Sequence, residues 1–165
     1  MLGFEDETWV NLQPYITNTY MMKGEQQRIL YNGTNRKFNA FITLLYNTNN
    51  VKFTLSKSRM STDFINHVRS IRRYIKKNHV TRFILVIDNA SFHVSKKTKQ
   101  FLQKQSEWLT VIFLPKRSPN LNPVESRINR NLKKDVCANH NYGNLESLTE
   151  NVRRYLRKFG SWPKL

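Results

Sequence analysis

The first third of the chain contains three stretches typical of β-strands. Residues 1–12 combine apolar and aromatic side chains with an acidic triplet and predict a first strand. The polar stretch over 13–35 predicts a loop or a loose hairpin. Apolar side chains alternate over 38–44 and again over 51–55, and the polar run at 47–50 between them is typical of a turn. These last two segments predict an antiparallel hairpin.

The rest of the chain changes to helical spacing and to continuous apolar runs. Apolar residues at spacings of four, three and four predict a helix over 61–77, whose other face is basic. The apolar runs at 83–87 and 110–114 are typical of parallel strands covered on both faces, with a polar helical stretch over 95–105 between them. A last helix is predicted because one face carries Leu145, Leu148, Val152, Tyr155 and Phe159.

This order of elements predicts an α/β fold. Hairpin strands come first and a β-α-β unit with parallel strands follows, which favours one mixed sheet flanked by helices. A chain of 165 residues has about the length of one domain, and no repeat or linker divides it. We therefore expect a single domain over residues 1–165.

Composition indicates a negatively charged partner. The chain has 28 Lys and Arg residues against 11 Asp and Glu residues, a net charge of +17, which is typical of a protein that acts on nucleic acid. No apolar run approaches the roughly 20 residues of a membrane span. The first residues also lack the pattern of a secretory signal. We accordingly expect a cytoplasmic protein, associated with the nucleoid if the source is prokaryotic.

The sequence excludes several common chemistries. A single cysteine, Cys137, allows neither an internal disulfide nor a cysteine-based zinc site. The five glycines form neither a dinucleotide-binding motif nor a P-loop, and the four histidines are not spaced as in zinc proteases. What remains is a nucleic-acid binder or an enzyme that acts on nucleic acid, and the few acidic residues must decide between them.

Asp88 directly follows the apolar run at 83–87. Ligands of open α/β sheets bind at the carboxyl ends of such strands, so a carboxylate at this position predicts a functional site. Alternatively, Asp88 and Asn89 turn the chain or cap a helix. The strand context favours the functional interpretation.

Glu125 ends the segment LPKRSPNLNPVE at 114–125, which follows the second apolar strand and leads into a helix. The spacing is that of a helix start, with Asn122 as the N-cap, Pro123 as the first helical residue and Glu125 as the partner in a capping box. The same helix start brings a carboxylate to the edge of the sheet where Asp88 is expected. The structural and the functional role are compatible.

Asp6 lies between Glu5 and Glu7 in the first predicted strand. Three consecutive acids are usually a solvated patch, but in so basic a chain we weigh them with Asp88 and Glu125 as a carboxylate cluster. Such a cluster repels itself unless cations neutralise it, and hard divalent ions such as Mg²⁺ take oxygen ligands of this type. Two such ions about 4 Å apart can clamp the attacking and leaving oxygens of a phosphodiester. The acids therefore point to a nucleic-acid-cleaving enzyme.

Four blocks of the sequence, in order, carry a family resemblance. They are FEDE at 4–7, GEQQ at 24–27, LVIDNASFH at 85–93 and the segment at 114–125. Together they closely resemble the catalytic domain of mariner-like insertion-sequence transposases of the DDE superfamily. The resemblance implies an RNase H-like fold, a mixed sheet flanked by helices as in retroviral integrases. It also implies an enzyme that cleaves DNA and then transfers the strand into a target.

The same resemblance assigns roles to individual residues. Asp6, Asp88 and Glu125 match the catalytic triad that holds two Mg²⁺ or Mn²⁺ ions, and 36 residues separate the last two of them. Glu5 and Glu7 match flanking acids that the family does not use as principal ligands. DNA, as transposon ends and as target, is the partner that the resemblance implies.

Three further residues are expected near the DNA. His93 fits the histidine of the family five residues after the second aspartate, where it contacts DNA, braces Asp88 or packs at a helix start. Lys116 and Arg117 are expected to contact phosphate, unless they form an ordinary solvated pair. The basic side chains of the helix at 61–77 are interpreted as general attraction to the DNA backbone.

The chain departs from the family pattern in two places. Helix-turn-helix segments normally precede the catalytic domain, whereas this chain starts five residues before Asp6. We therefore expect a catalytic domain without that DNA-binding region, working with a separate helix-turn-helix polypeptide and able to form a homodimer. Four residues after Glu125 the family favours an aromatic side chain, but that position is Asn129 here, so the local helix packing is expected to differ.

Two other functions stay open. A non-catalytic relic would bind DNA through its charge alone, with strong salt dependence and no metal requirement. A cellular RNase H-like nuclease or junction resolvase would share the metal site but lack strand transfer. The four blocks taken together favour the catalytic domain of a transposase.

Overall fold

A mixed sheet of five strands forms the centre of the fold. The structure, a computed structural model, describes residues 1–26, 28–31, 33–116 and 118–159. The strands are β1 (Leu2–Asn11), β2 (Lys37–Leu45), β3 (Asn50–Ser56), β4 (Phe83–Ile87) and β5 (Leu109–Phe113). Their order in the sheet is β3-β2-β1-β4-β5. The predicted hairpin of β2 with β3 and the predicted parallel pair of β4 with β5 are both confirmed, and β1 joins them, antiparallel to β2 and parallel to β4.

Helices follow the predicted order along the chain. Helices α1 (Ser61–Lys77) and α2 (Lys96–Gln103) precede β4 and β5, respectively. After β5 come a 3₁₀ turn (Pro119–Leu121), a π-helical turn (Glu125–Asn129), α3 (Arg130–Leu132), a second π-helical turn (Lys133–Cys137) and α4 (Leu145–Phe159). We call the helical run over 125–137 the Glu125 helix. Within the described ranges, no helix has both the length and the apolar character that crossing a bilayer requires.

Each face of the sheet has its own apolar core. Helices α1 and α2 cover one face, which we call the α1 face, and the Glu125 helix and α4 cover the other, the α4 face. Buried residues on the α1 face include Phe41, Phe64, Val68, Ile71, Phe83, Leu85, Ile87 and Phe92. Those on the α4 face include Ala40, Ile42, Leu44, Val124, Ile128, Leu132, Leu148, Val152 and Leu156. The helical spacing of apolar residues in α1 and α4 is therefore what fixes these two layers.

The prediction that β4 and β5 are covered on both faces is wrong. On the α4 face, Ile84 is 38 % exposed and Ile112 is 48 % exposed. The Glu125 helix and α4 lie over β1, β2 and β3, and they leave the β4–β5 half of that face open. The strand β5 also begins and ends one residue earlier than predicted.

Candidate active site

Three acidic side chains from three different elements line one cavity of about 550 Å³. Asp6 lies in the middle of β1, Asp88 directly follows β4, and Glu125 begins the helix that bears its name. The strands β1 and β4 pair in parallel, with Phe4 opposite Val86, so that this register continued by two residues places Asp6 beside Asp88. The structure thus brings together the three acids that the sequence singled out.

Asn122 fixes the start of the Glu125 helix against the central strand. Its side-chain Nδ2 donates to the carbonyl oxygen of Glu5 at 2.8 Å, and its Oδ1 accepts from the backbone N–H of Val124 at 3.1 Å. The predicted N-cap is therefore confirmed. The predicted capping box is wrong, because the backbone N–H of Asn122 donates to the carbonyl oxygen of Pro119. The carboxylate of Glu125 is free to face the cavity instead.

Asn129 bridges two of the three acids. Its Nδ2 donates to Oδ2 of Asp6 at 2.8 Å and to Oε2 of Glu125 at 3.1 Å. The side chain is fully buried, and its Oδ1 has no hydrogen-bond partner among the described residues. The position where the family favours an aromatic side chain is thus occupied here by a donor to the carboxylates. The segment Glu125–Asn129 forms a π-helical turn, and whether its packing differs from that of the family stays a prediction.

The acids of the cavity differ in their affinity for protons. Burial, followed by the negative charges of Glu7 and Glu125, raises the pKa of Asp6 to about 8. The pKa of Asp88 is lowered, chiefly by its hydrogen bond to His93. The Oδ1 atom of Asp88 also accepts from the backbone N–H of Ala90 at 2.8 Å, so the turn role and the cavity role coexist. At neutral pH, Asp6 is therefore protonated and Asp88 is ionised.

The donor set fits a hard divalent cation. All three acids offer carboxylate oxygens, the ligands that Mg²⁺ and Mn²⁺ prefer. Burial and the negative charges of Glu7 and Glu125 raise the pKa of Asp6, so the uncompensated charge of Asp6 is poorly tolerated there. A cation in the cavity would displace that proton and neutralise the cluster.

His93 connects the cavity to a buried polar cluster on the α1 face. Its Nδ1 lies 2.8 Å from Oδ1 of Asp88, and its Nε2 lies 2.8 Å from Oε1 of Glu7 and 3.4 Å from Oε2 of Glu5. Burial alone would lower the pKa of His93, but the contacts with Asp88, Glu5 and Glu7 outweigh it and raise that pKa to about 12. The ring is therefore a cation held between carboxylates.

Comparison with known proteins agrees with this geometry. The model of the family described as DDE superfamily endonuclease matches residues 1–149. The chain belongs to that family. A relative from Shigella sonnei, the insertion element IS630 uncharacterized 39 kDa protein, is 28 % identical over 161 residues, which are 97 % of this chain and 46 % of the relative. The chain therefore spans about half the length of the curated relative that it matches.

Solved structures share the fold of this DDE superfamily endonuclease. The Mos1 transposase paired-end complex with left transposon end matches with a TM-score of 0.74 at 16 % identity, over 96 % of this chain and 49 % of that chain. The catalytic domain of Mos1 mariner transposase matches with a TM-score of 0.63 at 15 % identity, over 97 % of this chain and 77 % of that one. The predicted RNase H-like fold is confirmed.

The other residues expected at the DNA have different outcomes in this endonuclease. Lys116 lines the cavity with an exposed side chain, so its contact with phosphate stays a prediction. Arg117 lies outside the described residues. The side chain of His93 is only 1 % exposed, which leaves it no surface for DNA. The expectation that His93 binds DNA is corrected for this reason, and its alternative role, bracing Asp88, agrees with the geometry.

The sequence did not predict the contacts of Glu5 and Glu7 with His93. Strand alternation was the available signal, since neighbours in a strand point to opposite faces of the sheet. Asp6 points to the α4 face, and Glu5 and Glu7 therefore point to the α1 face. The sequence does not tell which side chain meets them there.

Proposed function

We propose that this chain is the catalytic domain of a DNA transposase, which hydrolyses a phosphodiester at a transposon end and joins the freed 3′ end to target DNA. The convergence of Asp6, Asp88 and Glu125 in one cavity carries the proposal. Membership of the DDE superfamily endonucleases and the insertion-element relative support it. Solved neighbours include a Mos1 strand transfer complex, which supports the joining step.

Two Mg²⁺ or Mn²⁺ ions are the proposed cofactors, held by Asp6, Asp88 and Glu125. Mos1 paired-end complexes with Mn and with Mg are among the structures of similar fold, which supports the choice of metal. When bound, such ions activate the attacking oxygen and neutralise charge at the phosphate. The pKa of Asp6 also supports this proposal. A carboxylate that holds a proton up to about pH 8 lies in a negative environment, and such an environment attracts a cation.

The residues around the triad have separate tasks in this proposal. His93 keeps Asp88 ionised and oriented through the contact of 2.8 Å. Asn122 fixes Glu125 by tying the helix start to β1. Lys116, exposed at the rim of the cavity, binds the phosphate next to the scissile bond, and Arg117 is proposed to do the same.

The proposed partners are the transposon end and the target DNA. The net charge of +17 provides sequence-independent attraction to both. We place specific recognition of transposon ends in helix-turn-helix segments outside the described residues or on a separate polypeptide. We also propose that the catalytic domain works as a homodimer in the cytoplasm, associated with the nucleoid if the source is prokaryotic.

Nicking of supercoiled plasmid tests the proposal. The purified chain should nick with Mg²⁺ or Mn²⁺ and not with EDTA, and Asp88→Asn should abolish nicking while retaining DNA binding. Glu150→Gln, which changes an exposed acid on α4, serves as the matched control. Metal-independent nicking, or nicking that survives in Asp88→Asn, contradicts the assignment of the site.

A second assay separates the transposase from the two alternatives. A duplex with a free 3′ hydroxyl is supplied together with target plasmid, and joined products are scored. Joining supports the transposase, whereas nicking without joining favours an RNase H-like nuclease. Binding of DNA without nicking in any metal favours a catalytically inactive relic.

A further inference from the structure

A groove between α1 and α2, separate from the active-site cavity, is lined by a cluster of positive charge. The groove has a volume of about 1130 Å³ and shares no lining residue with that cavity. Within the described ranges no acidic residue lines it. Its six cationic side chains are Arg69, Arg72, Arg73, Lys76, Lys97 and Lys104.

Two of the arginines are held in place without being neutralised. Arg69 donates to Oδ1 of Asn66 at 3.1 Å, and its guanidinium lies 5.5 Å from the ring centroid of Phe101. Arg72 donates to Oε1 of Gln105 at 2.7 Å and lies 5.5 Å from the Trp108 ring. Neutral amides and aromatic rings orient a guanidinium but leave its charge intact.

None of the six cations forms an ion pair with a carboxylate in the described ranges. Like charges crowded on two facing helices repel one another, and so many unpaired charges favour an anionic ligand. The rigid forks of the arginines match the geometry of phosphate oxygens. The groove therefore has the chemistry of a phosphate-binding surface.

The shape of the groove selects an extended polyanion. The lining residues of α1 run from Thr62 to Lys76, a distance of about 21 Å along the helix axis. Duplex DNA rises about 3.4 Å per base pair, so this length covers about six base pairs. A single small anion would engage only a fraction of the six cations.

We propose that this groove binds the phosphodiester backbone of a second segment of duplex DNA, distinct from the segment in the active site. The choice of DNA among polyanions rests on the proposed function. The groove binds without sequence preference, because its cations address phosphates and not base edges. It lies on the α1 face, so DNA bound there and DNA in the cavity contact different surfaces of the domain.

Salt-dependent binding in EDTA tests this proposal without any catalysis. A fluorescent duplex of about two helical turns is titrated with protein between about 50 and 200 mM salt, and the slope of log affinity against log salt is measured. The groove variant is Arg69→Gln/Arg73→Gln/Lys104→Gln. The control, Lys134→Gln/Arg153→Gln/Arg154→Gln, removes the same charge from the α4 face.

Three lost phosphate contacts should reduce the slope by about 2.7 in the groove variant, and the control should change it by less than about 0.9. Equal losses in the two variants would show general attraction only and overturn the proposal. A loss confined to an RNA duplex of the same length would overturn it as well. Plasmid nicking by the wild-type chain is scored separately, so failure of the proposed function leaves this comparison readable.

Because Arg69 also packs on Phe101, a second variant guards against misfolding. Arg73→Gln/Lys104→Gln changes two exposed side chains only, and its slope should fall by about 1.8. Thermal unfolding confirms that each variant is folded. An unchanged slope in the folded double variant would overturn the proposal.

Asn129 carries a second, independent inference about the metal site, which also rests on the proposed function. One buried Nδ2 contacts an oxygen of Asp6 and an oxygen of Glu125, at 2.8 and 3.1 Å. We infer that Asn129 is a positioning residue, which holds one oxygen of each carboxylate and leaves the other oxygen of each free for a cation. Outer partners of this kind typically change metal affinity by about 10- to 100-fold.

Binding of Mn²⁺, followed by the electron paramagnetic resonance of the free ion, tests this inference without DNA. Asn129→Leu keeps the side-chain size and removes the donor, and we expect its Mn²⁺ affinity to fall at least about tenfold. Asn131→Leu on the same helix is the control, because within the described residues the side chain of Asn131 donates to the carbonyl oxygen of Arg127 and to neither acid. Asn129→Ser, which retains a short donor that cannot span both acids, should also lose affinity and replaces Asn129→Leu if that variant fails to fold.

The outcomes are distinguishable. Equal affinity in the wild-type chain and a folded Asn129 variant would overturn the positioning role. A wild-type chain that binds no Mn²⁺ would contradict the proposed cofactor instead. A lower affinity in the Asn129 variant alone, with unchanged thermal unfolding of the control, supports the inference.

Discussion

Glu5, Asp6 and Glu7 follow one another in β1 but meet two different environments. Asp6 faces the α4 side, in an open cavity that it shares with Asp88 and Glu125. No cation of the described residues lies within ion-pair distance of the Asp6 carboxylate. Glu5 and Glu7 face the α1 side, where the cationic ring of His93 lies against them. Both clusters gather negative charge, but the imidazolium of His93 is enclosed in the buried cluster, and in the open cluster it contacts Asp88 and not Asp6 or Glu125.

This difference shows why one cluster suits a metal and the other does not need one. On the α1 face, an imidazolium inside the protein compensates the carboxylates. On the α4 face the compensation is a proton on Asp6 or a cation from solution. His93 links the two, because its other ring nitrogen reaches Asp88. The buried cluster therefore stabilises and orients part of the open one.

The largest expected effect comes from replacing neighbouring acids on the two faces. Asp6→Asn removes a metal ligand, so the rate of plasmid nicking should fall by on the order of 10⁴. Glu5→Gln should change that rate only a few-fold, because Glu5 points to the α1 face and does not line the cavity. Equal losses of nicking rate in the two variants would show that the acids of the two faces do not differ in function.

Removal of the internal cation should produce the next largest effect. His93→Gln leaves Glu7 buried without its positive partner, and we expect the free energy of unfolding to fall by about 3–5 kcal/mol in urea titrations. The double variant His93→Gln/Glu7→Gln should recover part of that loss. Strictly additive losses would show that the two side chains do not interact.

Metal affinity of the open cluster should depend on pH. The pKa of Asp6 is about 8 without metal, so below that pH a proton competes with the cation. Affinity for Mn²⁺ should rise about tenfold per pH unit from about pH 6 to pH 8 and then level off. The same titration of Asp6→Asn, which carries no competing proton, should show a much shallower dependence. A flat profile for the wild-type chain would contradict the protonated state.

His67, on the same face as His93, offers the smallest and most specific test. Among the described residues its ring bonds to the hydroxyls of Thr43 and Thr54, and burial, followed by the positive charge of His93, lowers its pKa to about 3. The unfolded chain takes up a proton at this residue below about pH 6.5 and the folded chain does not. Stability conferred by neutral His67 is therefore complete above pH 6.5 and is lost as the pH falls towards 3.

The measurement compares the wild-type chain with His67→Gln. The difference in their free energies of unfolding should change by up to about 1.4 kcal/mol per pH unit below pH 6.5, with the wild-type chain losing more. The two groups in contact with His67 do not titrate, so the difference isolates its ring. A constant difference down to pH 4 would show that the ring is protonated in the folded chain and that the two histidines are alike.

The sequence alone determined most of the secondary-structure elements and which acidic residues belong to the candidate site. Period-two and helical spacing of apolar residues predicted the hairpin, the β-α-β unit, α1 and α4, because local periodicity states which face of an element is apolar. The positions of Asp88 after β4 and of Glu125 at a helix start predicted one shared edge of the sheet. The four blocks predicted the family.

Only the tertiary structure decided what surrounds those acids. Asn129 and Asp6 are 123 residues apart, and their contact depends on how the Glu125 helix docks on β1. Docking likewise buried His93 between Asp88 and Glu7, left the outer side of β5 open and brought α1 and α2 together into a basic groove. Periodicity specifies which face of an element is apolar. It does not specify which polar side chains come into contact between elements, because those contacts depend on sheet register and helix position together.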